Sequence, residues 1–369
     1  MKELLRIAAA LRTDPRPAVL ATLTKAEGSS YRRTGARLLL REGSPRIGSI
    51  SGGCLEEDIA AHATQVFATG LPRTLVYDTT GENDLVWGAG LGCHGIVHVL
   101  LEPFSGLPPA LAFVEQAWAK REAVVLVTAF GETSSSTTAP KTKSGPVLAL
   151  SESGLLWSSA TPELATIARR QLLAGRSITL PANEASGGAG VFVEYLPPPP
   201  ALTLFGAGDD AQPLVRLAAE LGWLVTVIDS RPAYATSTRF PEAQFVRVSS
   251  PTEAVASASL DARSLVVVMT HRYLDDTPIL RDLLPRPLGY LGLLGPKKRA
   301  EKIFADLARD GLAITPEMRA RLHGPVGLDL GGGTPEEVAL AILAEIQAVR
   351  SGRDARPLRE RTRPIHLDE

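Results

Sequence analysis

Residues 201–229, ALTLFGAGDDAQPLVRLAAELGWLVTVID, restrict the fold of the chain more than any other segment. An apolar run leads into a glycine turn, a helical pattern follows, and a second apolar run ends in an acid. Gly206-x-Gly208-x-x-Ala211 fits the G-x-G-x-x-G/A pattern: Gly206 permits the tight turn, Gly208 lets a pyrophosphate approach the backbone, and Ala211 allows close helix–sheet packing. Free N–H groups at the helix start favour an anion. Asp229, 23 residues beyond Gly206, is placed to bond a ribose diol. Asp209 and Asp210 work against a phosphate at the same turn. The fold is therefore better supported than an NAD(P) ligand. Of the two dinucleotides Asp229 favours NAD, although Arg231 stands within reach of a 2′-phosphate.

Apolar runs and helical patterns keep alternating after this unit, at 264–270, 275–284 and 289–295, which predicts a Rossmann-like doubly wound parallel sheet over 201–350. Ligands of such sheets bind at the C-terminal ends of the strands. His271 follows one strand there, and Lys297, with Lys298 and Arg299, opens a helix after a glycine turn, a setting that suits a phosphate. Solvated surface cations and a hydrogen-bonded histidine are the commoner reading of such residues. Thr334, Pro335 and Glu337 carry the residue types of a capping box at the start of a last helix. The charged, proline-broken stretch 351–369 reads as a tail.

Four prolines at 197–200 separate this half from residues 1–196, which read as a mixed α/β domain. This domain looks duplicated. AVLATLT (18–24) resembles VVLVTAF (124–130) and GIVHVLLEP (95–103) resembles GVFVEYLPP (190–198), with PRTLVYD (72–78) and RSITLPA (176–182) in corresponding places between them. Chance likeness of Val/Leu-rich strands is the alternative. Both cysteines fall in the first copy, so the second copy would be scaffold.

Both cysteines also sit among glycines. Cys54 follows Gly52 and Gly53 in GSISGGCLEED, and Cys93 follows Gly92 in GAGLGCHG. A lone cysteine is usually a small buried hydrophobe, but two of two in glycine loops point to a sulfur or soft-ligand role for Cys54. A thiol at a helix start feels the helix dipole, against which Glu56, Glu57 and Asp58 set three negative charges. Upstream, EGSSYRRTGAR (27–37) supplies Arg32 and Arg33, guanidinium forks able to hold an oxyanion. Cys54, Cys93 and His94 lack the spacing of a structural zinc site.

The net charge is −1 over 369 residues, which argues against general nucleic-acid binding. No apolar run is long enough to span a bilayer, and the first residues read as an amphipathic helix rather than a signal peptide. Two cysteines make no disulfide framework. A cytoplasmic protein with reduced thiols is expected.

The ordered set GSISGGCLEEDI, GLGCHG, FGAGDDAQPLVRLAAELGW, VVVMTH, YLGLLGPKKR and HGPVGLDLGGGTPEEVALAILAEI closely resembles the motifs of the XdhC/CoxI family, over nearly the whole chain. The resemblance implies a maturation factor rather than a catalyst. Such a protein binds molybdenum cofactor, supports its sulfuration with a cysteine desulfurase, delivers it to an apo molybdenum hydroxylase, and forms homodimers. Carried over, Gly52, Gly53 and Cys54 form the first cysteine motif, with Cys54 contacting molybdenum or its sulfido group. Gly92 and Cys93 form the second, and Gly206 and Gly208 the Rossmann turn. Tyr31 stands where the family often has proline, and His94 where it often has glycine. An NAD(P)-dependent oxidoreductase and a nucleotide-binding scaffold without cargo are the alternatives. Against the first, no Tyr-x-x-x-Lys pair or clear His/Asp couple stands out.

Overall fold

A computed structural model describes residues 2–28, 30–79, 95–131, 144–158, 160–182 and 188–362. It divides into two compact units, Met1–Pro198 and Pro199–Asp368.

The first unit contains one motif twice. Helix α1 (Lys2–Thr13) is followed by β1 (Pro17–Gly28), β2 (Arg37–Leu40), β3 (Ile47–Gly48), α2 (Glu56–Thr69), β4 (Arg73–Asp78) and β5 (Gly95–Ser105). The second copy runs α3 (Pro109–Ala119), β6 (Val124–Phe130), β7 (Gly145–Ser151), β8 (Leu155–Ser158), α4 (Pro162–Ala174), β9 (Ile178–Leu180) and β10 (Gly190–Leu196). Their antiparallel sheets have the same order, β3-β2-β1-β5-β4 and β8-β7-β6-β10-β9. The two segment pairs alike in sequence fall on β1 and β6 and on β5 and β10, and the pair between them on β4 and β9, so the duplication is a property of the fold.

Burial explains why these segments were recognisable. Every residue of β6 is buried, so VVLVTAF carries no polar face. Val19, Ala21 and Leu23 of β1 pack with Ile59, Ala63 and Val66 of α2. The same arrangement recurs where Val125 and Val127 of β6 meet Leu164 and Ala168 of α4. Leu4, Ile7 and Leu11 of α1, spaced as one helix face, join Leu111 and Val114 of α3 in a core shared with Leu20 and Leu126.

The second unit is a six-stranded parallel sheet. It comprises β11 (Ala201–Phe205), α5 (Ala211–Glu220), β12 (Leu224–Asp229), β13 (Phe245–Val248), α6 (Ala254–Ser257), β14 (Leu265–Val268), α7 (Tyr273–Leu283), β15 (Tyr290–Leu293), α8 (Lys297–Arg309), α9 (Pro316–Arg321), β16 (Leu322–His323) and α10 (Pro335–Ser351). The order β13-β12-β11-β14-β15-β16, parallel at every pairing, is that of a dinucleotide-binding Rossmann sheet. Helix α10 opens with the expected capping box of Thr334 and Glu337. No helix of the described residues is long and apolar enough to cross a membrane.

Candidate functional site

Helix α2 begins at Glu56, so Cys54 lies two residues before the helix, in the loop that leads from β3. Glu56 organises this loop. Its Oε1 accepts from the Ser51 N–H at 2.8 Å, the Ile50 N–H at 3.1 Å and the Ser49 hydroxyl at 2.9 Å, and its Oε2 accepts from the Ser51 hydroxyl. Ser51 Oγ in turn accepts from the Gly53 N–H at 3.2 Å and the Leu55 N–H at 3.1 Å. One buried carboxylate thus fixes the backbone from Ser49 to Leu55 and leaves the Cys54 thiol exposed. Burial opposes the charge on Glu56, but its bonds from Ser51 and Ser49 outweigh that and hold the carboxyl at about 2.

Facing the loop is the turn after β1. Tyr31 lies against Gly52, where a Cβ would stand 3.1 to 3.3 Å from its ring atoms. Tyr31, Arg32, Arg46, Ser49, Gly52 and Gly53 border an open groove of about 410 Å³. Beside it, Leu23, Tyr31, Ile50, Leu55, Val97 and Cys54 line a small apolar pocket of about 30 Å³. The result is a flat, partly apolar surface with a thiol at its edge and cations beside it.

The two cations differ. Arg32 donates to both oxygens of Glu3, at 3.2 and 3.1 Å, so its charge is partly spent. Arg46 is exposed and has no hydrogen-bond or ion-pair partner among the described residues. Sequence reasoning passed over Arg46, because nothing in SPRIG announces that the turn before β3 points at the cysteine loop. Arg33 is not part of the groove lining; its carbonyl accepts the Ala36 N–H in the turn into β2. Gly92, Cys93 and His94 lie outside the described residues.

In the second unit, Gly206 and Gly208 form the expected turn. Gly206 has φ +122°, and a Cβ there would stand 2.4 Å from the Met269 carbonyl oxygen, which only glycine tolerates. The groups that would meet a dinucleotide are already engaged. Asp229, almost fully buried, accepts from the Ala207 N–H at 2.7 Å and the Arg231 N–H at 2.8 Å, and forms a two-pronged pair with the Arg231 guanidinium. Burial opposes its charge, yet these Arg231 and Ala207 bonds hold the carboxyl below the usual carboxylate range. Asp209 binds Arg239 at 2.9 Å, and Asp210 binds His271 Nε2 at 2.7 Å, with His271 held at φ +60°. The cleft lined by Phe205, Ile228, Asp229, Arg231 and Thr270 encloses about 10 Å³, room for a single water. These residues do not fit a dinucleotide: its ribose acid is filled, its pyrophosphate turn is acidic, and the cleft beside Asp229 is narrow. Lys297 and Lys298 stand exposed at the start of α8, while Arg299 is committed to the buried Asp276. Titration with NAD+ or NADPH is expected to show no saturable binding tighter than about 1 mM by calorimetry. Micromolar binding would contradict this reading of the turn.

The sequence profile of the XdhC and CoxI family matches residues 11–78, and that of the XdhC Rossmann domain matches residues 202–346. A Bacillus subtilis protein described as a probable xanthine dehydrogenase subunit is 34% identical over 345 residues, spanning 92% of this chain and 96% of the relative. The chain belongs to the XdhC and CoxI family. It is also similar to the Escherichia coli molybdenum cofactor insertion chaperone PaoD, 23% identical over 95% of this chain and 88% of that protein's length. A crystal structure of a Bacillus halodurans protein described as a xanthine dehydrogenase matches with a TM-score of 0.75 and 30% identity, over 97% of this chain and 98% of that one. The family profile over 11–78 contains Tyr31, Arg32, Arg46 and the Ser49–Glu56 loop, and the Rossmann profile covers the filled dinucleotide turn.

Proposed function

We propose that the protein is a maturation factor that carries molybdenum cofactor as cargo and inserts it into an apo molybdenum hydroxylase of the xanthine dehydrogenase, aldehyde oxidase or CO dehydrogenase kind. The observation that carries this reading is the exposed Cys54 thiol, on a loop fixed by Glu56, lining a small pocket beside the groove bordered by Tyr31, Gly52 and Arg46. The donor set suits the cargo. A flat pterin lies against Tyr31 and the glycine backbone, Arg46 with Arg32 attracts its phosphate, and Cys54 supplies a soft ligand for molybdenum or its sulfido group. The likeness to a cofactor insertion chaperone supports the same reading.

The groove is open along one side, as delivery to a second protein requires. Exchange of the sulfido group with a cysteine desulfurase, homodimer formation and a cofactor-binding role for Gly92 and Cys93 belong to the same proposal. An NAD(P)-dependent oxidoreductase is disfavoured by the filled turn around Asp229. Protein purified from cells that make the cofactor is expected to contain pterin and to restore activity to an apo hydroxylase. A preparation free of pterin and unable to restore activity would end the proposal.

A further inference from the structure

The two repeats are unequal where they face each other. Leu20 of β1 pairs with Glu102 of β5, and Leu126 of β6 pairs with Glu194 of β10. Thr22 pairs with Arg37, and Thr128 pairs with Pro146. Glu102 and Glu194 are therefore equivalent positions, and so are Arg37 and Pro146. Two glycines repeat the match. A Cβ on Gly35 would stand 2.6 Å from Glu194 Oε1, and a Cβ on Gly145 would stand 3.2 Å from Glu102 Oε1.

One carboxylate has its cation, and the other has none among the described residues. Arg37 of the first repeat reaches Glu194 of the second through both guanidinium arms, with Nη1 to Oε1 at 2.8 Å, and the two side chains are each 6% exposed. The reciprocal bond, from position 146 to Glu102, is ruled out by proline. Glu102 is 7% exposed and makes no hydrogen bond or ion pair with the described residues. Leu100, Phe130 and Phe192 form a dry contact on the same strands. The charged and titratable groups that face this region are Arg37 from β2, Glu194 from β10, Glu3 from α1 and His98 of β5, whose ring lies 6.3 Å from that of Phe130, and Glu3 accepts the Arg37 backbone N–H at 3.2 Å. Arg37 already serves Glu194 and the Gly35 carbonyl. A second buried anion finds no donor left to it among the described residues.

We propose that Glu102 binds a proton in place of the arginine its repeat has lost, and that holding this proton makes the first unit progressively less stable as the pH rises from the acid side toward neutrality. Burial raises the Glu102 carboxyl to about 7, only partly offset by Arg37. Among the described carboxyls it is the one held above its ordinary range. The sign follows from linkage. The unfolded chain releases this proton at the ordinary carboxylate pH and the folded chain keeps it to about 7, so stability falls as pH rises through that window and levels off above it.

The test uses the full chain and Glu102→Gln, which keeps the shape and removes the charge. Melting temperatures are followed from pH 5 to 8, together with the protonated-carboxyl stretch in the infrared. Wild type is expected to lose about 5 °C relative to Glu102→Gln across the range. A protonated-carboxyl band is expected to disappear with a midpoint near pH 7 in wild type and to be missing in the variant. If Glu102→Gln does not fold, the infrared titration of wild type decides. Parallel melting curves, or no carboxyl band titrating near neutrality, would overturn the proposal.

Discussion

Replacing Arg37 with methionine is expected to lower the stability of the first unit by about 3–5 kcal/mol, because it leaves the Glu194 carboxylate buried without its cation. The pair joins the two repeats across 157 residues of sequence, so the loss falls on the contact that makes them one unit. The double variant Arg37→Met/Glu194→Met is expected to be clearly more stable than the single one, since it removes the stranded charge as well as the bond. Urea denaturation with unchanged m-values would measure both. A single variant no less stable than the double would show that the pair is dispensable.

Glu56→Ala is expected to cost about 2–3 kcal/mol and to lower cargo retention at least about tenfold, because Ile50 and Ser51 N–H groups lose a charged acceptor and the loop that presents Cys54 loses its shape. Glu56→Gln is not a benign replacement. Ser51 Oγ already accepts two bonds and donates one, so an amide N–H in place of Oε2 meets an oxygen with no free lone pair. The acid limb of wild-type stability carries the same signature. The folded carboxyl titrates at about 2, below its ordinary range, so its contribution is complete above the ordinary carboxylate value and lost as the pH falls toward 2. An acid-unfolding curve unchanged in Glu56→Ala would contradict this role.

Much of the fold could be read from the sequence because its signals are local. VVLVTAF is apolar but for the buried Thr128 because β6 is buried on both faces, and AVLATLT is its relative because β1 occupies the same place in the first repeat. The turn at Gly206 was equally legible, since only glycine fits against the Met269 carbonyl. Asp229 shows where such reading stops. Its position marks a ribose acid, but Arg231, two residues on, and the Ala207 N–H take up both oxygens. Glu56 shows the same limit from the other side. In sequence it is one of three negative charges beside a thiol, whereas in the fold it turns back to accept the Ile50 and Ser51 N–H groups and the Ser49 hydroxyl. Arg46 gave no signal at all, since its role depends on how the turn before β3 approaches the cysteine loop.

The pterin content of wild type, Cys54→Ala and Arg46→Gln, each purified from cells that make molybdenum cofactor, tests the cargo site most directly. Oxidation to a fluorescent pterin gives the amount per chain, and far-ultraviolet circular dichroism confirms that each variant is folded. Cofactor close to one per chain is expected in wild type, with a loss of at least about tenfold in both variants, the equivalent of one lost charged contact. Equal retention in all three would contradict the groove between Tyr31 and Cys54 as the place where the cargo is held.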